Sequence, residues 1–101
     1  MAKRLPPVHP GEVLREDFLK ELGLTPRQLA LAIKVPPNRI YQIINCRRAI
    51  TPDTARRLAR YFGTSAEVWL GMQMDYDLAM LEDSRGPQID REVTPRQAAH
   101  A

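Results

Sequence analysis

The sequence predicts an all-α domain of five helices followed by a C-terminal tail. Apolar residues make up 44% of the 101 residues, which is enough for one modest core. Thr-Pro pairs at Thr25 and Thr51 are typical helix starts, and glycines at positions 23 and 63 follow apolar stripes at helical spacing. No segment shows a convincing strand pattern. These observations together predict a single helical domain.

The first two helices are defined by their end signals. The first is predicted to start at Pro10 and to stop at Gly23, with an apolar stripe formed by Leu14, Phe18 and Leu22. The second is predicted to start at Thr25, which has Gln28 at the spacing of a capping box.

The third helix follows two consecutive prolines. Pro36 and Pro37 push the residues before them out of the helical region, so the second helix has to end by about Lys34. Pro37 fits the first turn of a new helix, where its missing N–H is not needed. At about 100° per residue, the core stripe comprises Ile40, Ile43 and Ile44, and the opposite side carries Asn38, Tyr41, Gln42 and Asn45.

The last two helices differ in how their polar and apolar residues are distributed around the helix axis. The fourth, from Thr51 to Gly63, turns its arginines outward. The fifth is predicted to be capped by Thr64 and to run to about Glu82. Its apolar residues surround more of its axis than one small core can cover, so a homodimer is predicted. The interface residues are predicted to be Trp69, Met72, Tyr76 and Met80.

The chain is predicted to divide into three segments. Residues 1–8 form an N-terminal arm, residues 9–82 the helical domain that dimerises, and residues 83–101 a tail containing glycine and two prolines. We expect no signal peptide, because no apolar stretch follows the basic N-terminal residues, and no apolar run approaches the ~20 residues that span a bilayer. Cys46 is the only cysteine, which fits a reducing cytoplasm.

Basic residues are concentrated in one part of the sequence. Residues 25–60 contain eight of them against Asp53 alone, a net charge of +7, which leaves −4 for the rest of a chain whose total is +3. This distribution favours a polyanionic partner.

Two short helices joined by a tight turn indicate a helix-turn-helix, whose second helix enters the major groove of DNA. Asn38 and Gln42 lie one turn apart and could each pair with adenine, with Arg39 and Tyr41 in support. Arg47, Arg48 and the start of the second helix are better placed for phosphates. The predicted DNA-binding residues are Thr25, Arg27, Gln28, Pro37, Asn38, Arg39, Tyr41, Gln42, Arg47 and Arg48.

The sequence resembles a known family at this point. Residues 24–62 are similar to a phage-repressor (XRE) helix-turn-helix. The segments HPGEVLREDFL, VPPNRI, TPDTARRLARYFGTS and EVWLGMQMDYDL together resemble HigA-type antitoxins of bacterial toxin–antitoxin operons. The resemblance covers about residues 9–82. It implies a homodimer that binds double-stranded operator DNA in its own promoter and neutralises a HigB-type toxin that cleaves mRNA.

The resemblance also assigns individual positions. It places base reading at Pro37, Asn38 and Gln42, of which Pro37 can offer only apolar contact, for instance to a thymine methyl. Cys46 and Lys34 stand where the family often has glycine. If the backbone is left-handed at these two positions, their side chains carry strain.

Other classes of function are disfavoured by the residues present. His9 and His100 have no further ligand at metal spacing, and no Gly-rich phosphate loop or nucleophile–base pair is recognisable, so we expect neither a metal, nor a cofactor, nor an enzyme. Two alternatives stay open: an orphan regulator of the same fold without a toxin, and a protein-interaction module with little specific DNA binding.

Overall fold

A computed structural model describes residues 7–97, and within that range every regular element is a helix. Helix α1 runs from Pro10–Val13 through a π-helical stretch, Leu14–Leu19, to Lys20–Leu22. The others are α2, Pro26–Ile33; α3, Pro37–Ile44; α4, Pro52–Phe62; and α5, Ala66–Glu92. The predicted five-helix, all-α fold is confirmed. In the part of the chain that the structure describes, no helix has both the length and the apolar character that a membrane crossing requires.

Most of the predicted helix ends are confirmed by cap geometry. The Thr25 hydroxyl accepts a hydrogen bond from the Gln28 backbone N–H at 3.0 Å, and the Gln28 side chain accepts one from the Thr25 N–H at 2.9 Å, completing the capping box. Gly23 and Gly63 end α1 and α4 in the left-handed conformation. The start of α5 differs from the prediction. Ser65 is its cap, because the Thr64 hydroxyl is taken by the indole N–H of Trp69 at 2.8 Å.

The core lies where all five helices converge. Its largest fully buried apolar side chains come from each of them: Leu14, Leu29, Ile40, Ile43, Leu58 and Trp69. Phe18 packs against this cluster, with its ring centroid 4.7 Å from that of Phe62 and 5.1 Å from that of Trp69. The predicted isoleucine stripe of α3 therefore seats that helix on the core.

The apolar stripe of α1 was predicted incompletely. Leu14 is buried and Phe18 is half-buried, as predicted, but Leu22 is 58% exposed and Leu19 is buried in its place. The π-helical stretch explains the exchange. Its hydrogen bonds join residues five apart, as from the Lys20 N–H to the Arg15 carbonyl, so Leu14 and Leu19 share a face.

Helix α5 is longer than predicted. It continues beyond Glu82 to Glu92, through Pro87, so the first part of the predicted tail is helical. Polar contacts between neighbouring turns support this part, including Ser84 Oγ to the Met80 carbonyl at 2.9 Å and Gln88 to Glu92 at 2.8 Å. Residues 1–6 of the predicted arm and 98–101 of the predicted tail lie outside the described residues.

The start of α1 forms the seat of α3. The Nδ1 atom of buried His9 accepts the Gly11 N–H at 2.8 Å, and burial lowers the pKa of His9, which keeps that nitrogen available as an acceptor. Gly11 lies against the backbone of α3 so closely that a β-carbon would overlap the Ile43 carbonyl oxygen. Arg15 Nη1 donates to the Ile44 carbonyl at 2.7 Å, which satisfies a terminal acceptor of α3.

We therefore expect Gly11→Ala to lower the free energy of unfolding by about 3 kcal/mol or more, because the neighbour that would have to move is backbone. Gly71→Ala is the matched control. It lies inside α5 with no atom within 4 Å of its added β-carbon, so it should raise the free energy of unfolding by about 0.5–1 kcal/mol. Urea titration of both variants measures this difference, and equal stability of the two would contradict the close-packed seat.

Candidate nucleic-acid interface

The outward face of α3 is polar, as predicted. Asn38, Tyr41 and Asn45 are exposed, and Gln42 and Pro37 are half-buried beside them. Directly beneath them, Ile40, Ile43 and Ile44 are buried in the core. The helix is thus held from one side and presents donors, acceptors and an aromatic ring on the other.

The beginning of α3 leaves its positive end open. Pro36 occupies the N-cap position, and within the described residues no side chain caps the helix. The Arg39 N–H bonds to the Pro36 carbonyl at 3.0 Å. The N-terminal end of a helix favours anions, so this end suits a negatively charged ligand.

The turns on either side of α3 have left-handed residues that are not glycine. Lys34, between α2 and α3, has φ 64°, and Cys46, after α3, has φ 60°. The strain expected for these positions is therefore present, at about 1–2 kcal/mol per residue. Each turn is closed by hydrogen bonds, from Val35 N–H to the Ala30 carbonyl at 3.0 Å and from Arg47 N–H to the Gln42 carbonyl at 2.9 Å.

An ion-pair network on α4 braces the turn between α2 and α3. Arg57 donates from Nη1 to the Ile33 carbonyl at 2.9 Å and from Nε to Asp53 at 2.9 Å. Asp53 also accepts from Arg39 of α3 at 3.0 Å. The hydrogen bonds from Arg57 and Arg39 lower the pKa of the Asp53 carboxyl, which keeps it ionised between the two guanidinium groups. The network ties α2, α3 and α4 together at the strained Lys34.

The role of Arg39 in this network differs from its predicted role. The sequence predicted that Arg39 supports base reading on the outward face. In the structure its guanidinium turns back toward α4, where Nη1 contacts Asp53 and lies 3.4 Å from the Thr54 hydroxyl. Asp53 and Arg57 were both missed as supports of the site. Their i, i+4 spacing on α4 was readable as an ion pair, but the contacts to α2 and α3 were not.

The turn after α3 brings two arginines beside the polar face. Arg47 and Arg48 are both exposed. Arg48 Nη1 donates to the Gln42 side-chain oxygen at 3.0 Å, so Arg48 lies next to one of the predicted base readers. The sequence did not predict this contact.

The start of α2 forms a second exposed polar site. Thr25, Arg27 and Gln28 are all exposed. The Thr25 and Gln28 side chains are engaged in the reciprocal cap, whereas the Arg27 side chain has no hydrogen bond or ion pair with a described residue. The positive end of the α2 dipole and the Arg27 charge therefore coincide.

The four residues predicted for a dimer interface are not placed alike. Trp69 has no exposed surface in the single chain, so it is a core residue and not an interface residue. Met72 and Tyr76 line a groove with Val8 and Val13, and the Tyr76 ring lies edge-on to His9 with centroids 4.9 Å apart. Only Met80 is largely exposed.

The apolar surface that α5 leaves uncovered lies on another side of the helix. It is formed by residues four, four and three apart, Leu70, Met74, Leu78 and Leu81, which we call the α5 stripe. Met74 and Leu78 are 64% and 55% exposed. The sequence indicated the excess of apolar residues on α5, but none of the four residues predicted for the interface belongs to this stripe.

Comparison with known proteins matches this arrangement to a family. A helix-turn-helix family model matches residues 16–69. Virulence-associated protein I of Dichelobacter nodosus is 52% identical over 81 residues, which are 80% of this chain and 75% of that protein. The Pseudomonas aeruginosa antitoxin HigA, solved with the higBA promoter, is 43% identical with a TM-score of 0.86, over 89% of this chain and 98% of that one. The chain belongs to the HigA-type helix-turn-helix family.

A second HigA relative gives the same result. An addiction module antidote protein of the HigA family from Coxiella burnetii is 44% identical with a TM-score of 0.85, over 90% of this chain and 99% of that one. The alignment extends well beyond the helix-turn-helix, since it takes in most of α5 as well.

Among the described residues, no group of three or more His, Cys, Asp or Glu side chains could hold a metal ion.

Proposed function

We propose that this chain is an antitoxin and transcriptional autorepressor, which binds its operator as a homodimer and neutralises a HigB-type, mRNA-cleaving toxin. The observation that carries the proposal is the outward face of α3, which is polar, exposed and flanked by arginines in a fold that a HigA solved with promoter DNA shares. An α-helix with such a face fits the major groove.

The contacts divide into base reading and phosphate binding. Asn38 and Gln42 are one turn apart on the outward face and read base edges, Tyr41 packs beside them, and Pro37 meets a thymine methyl. Phosphates on either side are bound by Arg27 in the first turn of α2 and by Arg47 after α3. The helix is fixed by buried isoleucines and the network at Lys34, so its side chains meet the groove in one orientation.

The antitoxin role uses a different part of the molecule. Helix α5 carries seven carboxylates against two arginines, whereas the segment with the DNA-reading face is strongly basic. A toxin that cleaves mRNA has to bind a polyanion, so its binding cleft is basic and complements α5 rather than α3. The product of the neighbouring gene, expressed with and without this chain, tests this role through growth arrest and its relief.

The homodimer forms through the α5 stripe. An apolar stripe on a helix that extends past the bundle is covered most simply by the same stripe of a second copy. To read a near-palindromic operator, such a dimer has to place its two α3 helices about 34 Å apart, which is one turn of DNA.

Operator binding is tested by titrating two fluorescent duplexes, one from the chain's own promoter and one with the same bases shuffled, at several salt concentrations. We expect preference for the promoter and a steep loss of affinity with salt, because arginines displace counterions from phosphates. Arg47→Ala should weaken both duplexes alike and reduce the salt slope by about one. The control, Arg91→Ala at the far end of α5, should change neither. Equal affinity for the two duplexes would overturn the repressor role.

The dimer is tested by replacing two exposed residues of the α5 stripe. We expect the double variant Met74→Asp, Leu78→Asp to be a monomer in sedimentation equilibrium, because four carboxylates would face each other in the paired stripes. Val68→Asp is the matched control, since Val68 is an equally exposed apolar residue of α5 outside the stripe, and it should leave the dimer intact. A dimer that survives the double substitution would place the interface elsewhere.

A further inference from the structure

The contact between Gln42 and Arg48 determines which hydrogen-bonding groups α3 presents to a base. Gln42 is the later of the two base readers, and its side-chain oxygen accepts from Arg48 Nη1 at 3.0 Å. A glutamine amide has one oxygen, which accepts, and one NH₂ group, which donates. That oxygen has two lone pairs, so the guanidinium takes up one of its two acceptor positions and leaves the NH₂ donor wholly free for a ligand.

The backbone turn explains why these two residues meet although they are six positions apart. Cys46 is left-handed, and the Arg47 N–H returns to the Gln42 carbonyl at 2.9 Å. The chain therefore folds back along the last turn of α3, and Arg48 comes to lie beside Gln42. Among the described residues, no carboxylate forms an ion pair with Arg48 that would compete with its hydrogen bond to Gln42.

Seen from the DNA, the two side chains form a surface of donors. Gln42 contributes its NH₂ group, and Arg48 contributes the N–H groups that the contact with Gln42 does not use. In the major groove guanine presents two acceptors, N7 and O6. Adenine presents one acceptor and one donor, and the donor needs an oxygen. The oxygen that Gln42 would use for adenine already accepts from Arg48, and the guanidinium beside it disfavours a base that presents a donor of its own.

We propose that Gln42 and Arg48 act together as a guanine-selective reader. The proposal rests on the proposed function of operator binding and specifies one base of the operator. Arg48 then reads a base instead of binding a phosphate. The pair selects guanine, whereas Gln42 alone would select adenine. Asn38, which has no contact of this kind to a described residue, keeps both a donor and an acceptor and remains suited to adenine.

The test begins with selection of binding sites from a library of random DNA duplexes. For the wild-type chain we expect an enriched half-site that contains an invariant guanine. Preference for that guanine should be lost in Gln42→Ala and in Arg48→Ala, at the same position and by roughly 5- to 100-fold. In Arg47→Ala the selected sequence should be unchanged, with weaker binding to all duplexes. Thermal unfolding of each variant confirms that the fold is kept, since the three side chains are not part of the core.

A second measurement removes one acceptor from the DNA instead of a donor from the protein. Substitution of 7-deazaguanine at the invariant position deletes N7, so it should weaken wild-type binding several-fold and leave Arg48→Ala unaffected. Gln42→Glu keeps an oxygen for Arg48 but loses the donor, so it should lower the preference for guanine without lowering stability.

The outcomes separate the two levels of the proposal. If wild type enriches no sequence, operator binding itself fails. If wild type enriches a sequence but Arg48→Ala weakens all duplexes alike, or if Gln42→Ala relaxes an A·T position, operator binding stands and the guanine reader is overturned.

Discussion

The contact between the start of α1 and the end of α3 is the constraint on which the rest of the interface depends. Gly11 lets the two backbones touch at Ile43, and Arg15 donates to the carbonyl of Ile44, the last residue of α3. A helix held at its C-terminal end by backbone contact can neither slide nor rotate without breaking that contact. The polar face of α3 is therefore defined by packing on the opposite side of the helix, where no DNA-binding residue lies.

The N-terminal end of α3 is held in a different way, by charge. Asp53 stands between Arg39 and Arg57, and Arg57 also bonds the carbonyl that ends α2. These bonds act on a turn whose central residue, Lys34, is left-handed without being glycine. A strained backbone conformation persists only where the surrounding structure holds it in place. At Lys34 the hydrogen bonds of Arg57, Asp53 and Arg39 hold it. Arg39, which was predicted to support base reading, and Arg57 are thereby used to hold α3 in place.

The sequence predicted the fold closely because its helix ends carry strong local signals. Thr25, Gln28, Thr51 and the two glycines at 23 and 63 fix boundaries through their own hydrogen bonds or conformations, and these need no tertiary contact. The isoleucine spacing likewise defined the two faces of α3. Leu22 and the end of α5 were placed incorrectly, because a π-helical turn and polar i, i+4 contacts leave no mark in apolar periodicity.

The site was less predictable, since its detail lies in contacts between distant segments. No pattern in the sequence shows that Arg39 turns to Asp53, or that Arg48 meets Gln42. Trp69 illustrates the same limit. Its apolar neighbours on α5 indicated two buried faces, but only the packing of α1 and α4 decides which face is the core. Side-chain type and spacing thus predicted that α3 reads DNA, and the fold determines which atoms do so.

The most direct test of this account is a map of backbone amide NMR shifts during titration with the promoter duplex. We expect the largest changes on the start of α2, on the outward face and first turn of α3, and on the turn from Cys46 to Arg48. Residues 78–92 of α5 should keep their shifts at the same DNA concentration. Changes confined to α5, with α3 unaffected, would contradict the claim that α3 is the DNA-reading element.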